Sequence, residues 1–269
     1  MRISEGSYRR ADLRHGVGYY HRCSSIASRP LVNYSTAPQA PPRAFEMDFD
    51  SILRRWGAQT QPWELDDLAC ELGVSWGSLV RLGVVRRLGK TAWAFPMHDD
   101  RRRVVGIRLR SPAGQKFALG GSHAGAFIPS GLDSRSTLLI CEGPTDTAAA
   151  LTLGFNAIGR PSCSGAVNII SDMLRVGRRR NVVIVADADE PDKDGRRPGI
   201  DGAEHLASCI VDLTLEVRVI TCEPYKDLRA WLNAGCTPAA ADARIRASNP
   251  YRKTTDGLDQ GGKTDAAKA

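Results

Sequence analysis

Apolar residues change their rhythm along this chain of 269 residues, and each change marks a different kind of structure. They first fall at Leu65, Leu68, Ala69 and Leu72, the three-to-four spacing of a helix that buries one face. Gly73-Val74-Ser75 then breaks the pattern and offers a capping serine ahead of Leu79 and Leu82, which predicts a second short helix. Together they make a helix-turn-helix-like segment within residues 46–90. Between Thr91 and Phe127 the pattern tightens into short apolar runs, Trp93-Ala94-Phe95 and Val104 to Leu109, separated by the turn His98-Asp99-Asp100. These predict paired strands. After a loop at Pro129 to Arg135, strands are predicted over 137–141, 156–158, 182–186 and 215–220, alternating with helices over 145–153, 166–176, 202–211 and 227–233. Such alternation predicts an α/β fold, a parallel sheet flanked by helices, preceded here by a small basic α+β subdomain.

The two ends lack any such rhythm. Residues 1–45 carry seven arginines against Glu5 and Asp12 and close on Pro38, Pro41 and Pro42, which predicts a disordered basic arm. That charge fits a transit peptide, a basic arm or a misassigned start. Residues 247–269 are polar again and are predicted to be a disordered tail. The expected organisation is therefore an arm (1–45), a helical segment (46–90), a basic subdomain (91–135), an α/β domain (136–246) and a tail.

Charge sharpens this picture. Nine basic residues between Arg86 and Lys116 face only Asp99 and Asp100, an excess as large as the +7 of the whole chain. A concentration of this kind suits a polyanionic partner. The seven cysteines are odd in number, scattered, and never form Cys-x-x-Cys, which points to reduced thiols in a cytoplasm; no zinc is expected. No run approaches the ~20 apolar residues of a membrane span, and the N-terminus lacks the apolar centre of a signal peptide, so no membrane partner is expected.

The helical pair admits two readings, a DNA-contacting element or a spacer. Its second helix offers only Ser78 and Arg81 to read bases, which favours the spacer.

Chemistry concentrates on three acids. Glu142 stands where the strand Leu138-Leu139-Ile140-Cys141 ends, and Asp187 and Asp189 follow the strand Val182-Val183-Ile184-Val185. In parallel α/β sheets, ligand sites form outside the carboxyl ends of the strands, so these acids should converge on one edge. Two acids one residue apart point the same way on extended chain, and a third from another strand completes an oxygen-rich site suited to Mg²⁺ or Mn²⁺. An isolated Asp-x-Asp fits a solvated turn; its company with Glu-Gly-x-x-Asp favours the metal site.

Cys141-Glu142-Gly143-Pro144-Thr145-Asp146, the small residues from Ala148 to Gly154, Ala186-Asp187-Ala188-Asp189 and Gly202-Ala203-Glu204-His205-Leu206-Ala207 together resemble the Toprim domain of primases, topoisomerases and related nucleases. The resemblance covers roughly Ser136 to Asn233. It implies Glu142 as a general acid or base and as a metal ligand, Asp187 and Asp189 as metal ligands, and Gly143 and Asp146 as supporting residues. The chain departs from the pattern by inserting Glu190 to Asp201, whose Asp192 and Asp194 either join the metal or, as preferred here, decorate a loop.

Phe95-Pro96-Met97-His98-Asp99, Val104 to Arg110, Lys116 and Gly120-Gly121-Ser122 resemble the basic subdomain that precedes Toprim in bacterial and phage primases. That implies contacts from Arg110 and Lys116 to template or incoming nucleotide. Lys226-Asp227 before Leu228, Trp231 and Leu232 resembles the Lys-Asp signature that closes the primase core; Lys226 then meets phosphate, or the pair caps the last helix.

The resemblance implies a primase-like nucleotidyltransferase that makes short primers on single-stranded DNA from nucleoside triphosphates with Mg²⁺. Alternatives are a Toprim nuclease and a noncatalytic DNA-binding module of a mobile element; the chain is too short for a topoisomerase. Primases of this kind select template with a zinc ribbon, absent from this sequence, so a separate zinc-bearing replication protein or helicase is a candidate partner. Gly257 to Thr264 spells Gly-x-x-x-x-Gly-Lys-Thr but has no apolar strand before it and no room for a helix after it, so no phosphate loop is expected there.

Overall fold

The computed structural model describes residues 47–89 and 92–253. The expected arm at 1–45 and the Gly257 to Thr264 pattern lie outside the described residues.

Three helices open the described chain: α1 (Phe49–Gly57), α2 (Pro62–Leu72) and α3 (Trp76–Arg81). Each start is capped locally. The Asp48 carboxylate accepts from the Ser51 amide at 2.9 Å, the Glu64 side chain reaches back to the Gln61 amide at 2.9 Å, and the Ser75 hydroxyl accepts from the Ser78 amide. Gly73 ends α2 at φ 67°, and a Cβ there would lie 2.0 Å from the Asn233 side chain, so both backbone and neighbour demand glycine. The predicted apolar face is buried throughout, from Leu65 to Leu82. Both base-reading candidates are engaged internally. Ser78 is buried and donates to the Ser75 carbonyl, while Arg81 donates to the carbonyls of Ser130 and Gly131.

An antiparallel sheet follows, in the order β1 (Val85–Arg86), β2 (Trp93–His98), β3 (Val104–Arg110), β4 (Lys116–Ala118). Its strands sort their side chains by the two-residue period of extended chain. Ile107 and Leu109 pack with Phe49 and Trp56 of α1, while Arg108 and Arg110 take the opposite face. Arg110 pairs with Lys116 across the β3–β4 ladder, and Arg108 pairs with Phe95 of β2.

The second sheet is fully parallel, in the order β6 (Asn156–Arg160), β5 (Leu138–Glu142), β7 (Asn181–Ala186), β8 (Glu216–Thr221). Its central strands β5 and β7 bury both faces, as helix-covered parallel strands must. Leu139, Cys141, Val183 and Val185 face a core shared with α4 (Gly143–Thr152) and α7 (Leu228–Asn233). Leu138, Ile140, Val182 and Ile184 face α5 (Val167–Val176) and α6 (Pro198–Ile210). Phe95 and Met97 of the antiparallel sheet enter the first of these cores beside Leu79 and Ala148, so one apolar cluster unites helices and both sheets.

Elements α1, β1 and β4 were not predicted, and other features differ from the sequence pattern. Helices α4 and α6 begin two and four residues earlier than expected, each with proline in its first turn. A further helix, α8 (Pro238–Ala247), was not predicted, because its alanine-rich run has no apolar stripe; Thr237 caps it. The expected tail from 247 is not free at its start. Tyr251 donates to the Val217 carbonyl at 2.7 Å and Pro250 bridges Arg218, laying residues 248–253 along β8. At the other edge, Phe127 and Gly159 exchange both backbone hydrogen bonds, closing β6. Among the described residues, no helix is long and apolar enough to cross a membrane.

Because the core is shared, Phe95→Ala should lower unfolding free energy by about 3–5 kcal/mol. Urea titrations followed by tryptophan fluorescence and by circular dichroism should give one coincident transition. Separate transitions would show that the sheets fold independently.

Candidate active site

Strands β5 and β7 are neighbours that run the same way, with Ile140 level with Ile184, so their carboxyl ends open onto one edge. Glu142 is the last residue of β5 and Asp187 the first after β7. A cavity of about 130 Å³ lies at this edge, walled by Glu142, Asp146, Asp187 and Asp227 and by the cations Arg108, Arg110, Lys116, Lys226 and Arg229. The structure therefore brings together residues from both sheets and from α7, up to 121 positions apart in sequence.

The acids are desolvated and crowded. Burial, followed by the carboxylates of Asp146 and Glu142, pushes Asp187 from its ordinary value of 3.8 up to about 8. Burial and then Asp227 raise Asp146, against the Arg229 amide that donates to it at 2.9 Å. Burial raises Glu142 as well, and its Oε2 is buried with no hydrogen-bond partner among the described residues. Asp227 caps α7, accepting from the Ala230 amide at 2.7 Å, so this acid both closes the helix and walls the cavity.

Gly143 takes φ 78°, which lets the chain turn directly from β5 into α4 and aims the helix start at the cavity. Lys116 and Arg110, adjacent across the β3–β4 ladder, come in from the antiparallel sheet. Arg110 is also 3.7 Å from Glu71.

Asp189 sits beside this cluster: its charge adds to those that raise Glu142 and Asp187, and its Oδ1 lies 3.3 Å from the ammonium of Lys226 on the cavity wall, which that hydrogen bond holds protonated. The backbone reinforces the pairing, since the Ala188 amide donates to the Lys226 carbonyl at 2.7 Å. Asp192 accepts from the amides of Asp194 and Arg196, a self-contained turn in the inserted loop. Among the described residues, no three His, Cys, Asp or Glu side chains converge tightly enough to grasp an ion as they stand.

Three site residues were not singled out in the sequence. Arg108 was legible in principle, since the period of β3 places it on the face of Arg110. Arg229 follows Lys226-Asp227 and contributes its backbone amide to Asp146. Arg160 closes β6, level with Glu142 in the parallel register, and is 0% exposed. Its Nη1 donates to the carbonyls of Cys163 and Gly202, and burial depresses its affinity for the proton. Only its position after the apolar run Ala157-Ile158-Gly159 marked it.

Comparison with solved structures identifies the fold as that of a DNA primase catalytic core. The E. coli primase catalytic core matches with a TM-score of 0.55 at 16% identity, over 75% of this chain and 79% of that one. The DnaG primase catalytic domain bound to single-stranded DNA matches at 0.54 and 16%, over 75% and 77%. A bacteriophage T7 assembly, in which primase domains of two gp4 subunits are bound to an RNA/DNA hybrid and dTTP, matches at 0.52 and 17%, over 68% and 91%. No protein-family model matches the sequence, and comparison with curated proteins finds no match.

Folded Asp187 holds its proton more tightly than an unfolded aspartate, so its contribution to stability is present at low pH and is lost as pH rises through about 8. In metal-free protein at pH 8, Asp187→Asn should raise the melting temperature by roughly 2–4 °C for each kcal/mol of repulsion relieved. At pH 5 the gain should shrink; equal gains at both values would remove Asp187 from the crowded cluster.

Proposed function

We propose that this chain is a primase-like nucleotidyltransferase, synthesising short primers on single-stranded DNA with Mg²⁺ or Mn²⁺. One observation carries the reading: in a primase-core fold, a single cavity pairs carboxylates from the carboxyl ends of β5 and β7 with Arg108, Arg110 and Lys116 of the antiparallel sheet. Acids alone would fit many hydrolases. Acids facing an arginine- and lysine-bearing wall fit a polyanion brought to a divalent ion.

The donor set fits that ion. Its oxygens are hard, Glu142 Oε2 lacks a partner, and the crowding of Glu142 and Asp187 is the kind a cation relieves. Magnesium takes one or two carboxylates and keeps its waters, so Glu142 and Asp187 suffice to hold it beside a phosphate. Asp189 then joins by exchanging Lys226 for the metal. When bound, the ion neutralises charge on the triphosphate as the new bond forms.

The chain's own residues do the rest. Arg110 grips phosphate with a planar fork, and Lys116 adds a point charge beside it. Lys226, once parted from Asp189, is free to meet the same phosphates. Glu142, next to the reacting centre, is the candidate acceptor for the proton of the attacking 3′-hydroxyl. Template follows the basic segment between Arg86 and Lys116, and its hold weakens as salt rises.

Purified protein given single-stranded DNA, Mg²⁺ and labelled nucleotides should make short products. Asp187→Asn should lower synthesis by at least about 100-fold while DNA binding persists. Arg110→Met should raise the nucleotide KM by about tenfold, the loss of one charge-assisted contact. Cleavage without synthesis would make the chain a nuclease of the same site; salt-sensitive binding with neither activity would make it a binding module.

A further inference from the structure

Arg160 is a charged side chain with no access to solvent, placed at the end of β6 beside the strand that ends in Glu142. Burying a charge in this way is costly, and an apolar residue of similar volume is usually as stable or more so. Its cost is only partly offset, because Nε and Nη2 have no hydrogen-bond partner among the described residues. The one well-used nitrogen, Nη1, bridges two carbonyls that belong to different elements: Cys163 in the β6–α5 loop and Gly202 in α6.

Those two elements support the acids. Burial raises the Glu142 carboxyl, and Arg160, level with it across the β5–β6 ladder, favours its charged form, with the Cys163 amide adding a smaller effect of the same sign. Gly202 presses on the same loop so closely that a Cβ would lie 2.3 Å from the Cys163 oxygen. One turn earlier in α6, a Cβ on Gly199 would lie 2.5 Å from the Asp187 backbone carbonyl oxygen, so the start of this helix packs against the Asp187 backbone. The guanidinium thus ties the loop beneath Glu142 to the helix behind Asp187.

We infer that Arg160 is a positioning residue, a buried tether that fixes Glu142 and Asp187 in mutual register for a divalent cation without touching the cation itself. The inference rests on the reading that these two acids hold the ion, but it does not need the chain to synthesise primers. Outer supports of metal ligands typically change ion affinity by about 10- to 100-fold when removed. The sign of the change separates a tether from simple repulsion of the cation. A positive charge that merely repelled a cation would, on removal, leave binding tighter; a tether would leave it weaker.

The test is Mn²⁺ binding to the full chain, by calorimetry without nucleotide or DNA, alongside melting temperature. Wild type should bind, and Asp187→Asn should not; if Asp187→Asn binds like wild type, the metal-site reading fails, and if wild type binds yet makes no primers, only the primase reading fails. Arg160→Met should bind Mn²⁺ at least about tenfold more weakly. Arg160→Lys, which keeps the charge and can reach one carbonyl, should return to within about threefold of wild type. Unchanged or tighter binding by Arg160→Met overturns the inference, and so does a lysine variant as weak as the methionine one. Should Arg160→Met fail to fold, hydrogen exchange in wild type decides: Mn²⁺ should slow the amides of residues 162–165, and exchange indifferent to Mn²⁺ overturns the tether.

Discussion

Everything at the functional edge depends on keeping several carboxylates together out of water. Two unit charges of like sign 4 Å apart repel by about 4 kcal/mol even at an effective dielectric of 20. Parallel strands impose this crowding, since β5 and β7 deliver their terminal acids to one side of the sheet. The fold answers with local donors and nearby cations. The Arg229 amide serves Asp146, the Ala230 amide serves Asp227, and Arg108, Arg110 and Lys116 face the acids across the cavity. What remains uncompensated, above all Glu142 Oε2, is a stored affinity for positive charge.

The antiparallel sheet matters because one structural period serves two ends. In β3, Ile107 and Leu109 secure the strand against α1, and the residues between and after them carry guanidinium groups to the cavity. The same alternation in β2 sends Phe95 and Met97 into the core shared with the parallel sheet. Stability and charge placement are therefore coupled. A one-residue slip in this sheet would bury the arginines and expose the core residues together.

Much of this was legible along the chain because it is local or periodic. Strand-helix alternation gave the parallel sheet, and strand ends located Glu142 and Asp187. Arg110, Lys116, Asp146 and Asp227 could be placed by their surroundings in sequence, and the structure gathers all four around one cavity. What escaped was set by contacts between distant segments. Nothing near Arg160 announces that Gly202, 42 residues later, will accept from it. Nor does Asp-x-Asp reveal that Asp189 pairs with Lys226, 37 residues later. Helix α8 escaped for a different reason: alanine carries helix propensity without a stripe by which to see it.

The two outer strands of the parallel sheet have a consequence for how large this sheet can grow. Strands at a margin offer unpaired amides and carbonyls to any extended chain that drifts by. Here the Phe127 segment occupies the β6 side, and Pro250 and Tyr251 occupy the β8 side, with proline contributing no amide for a newcomer. Among the described residues, each margin of the sheet is thus covered at one point by its own polypeptide. Strand addition is denied its template at those positions.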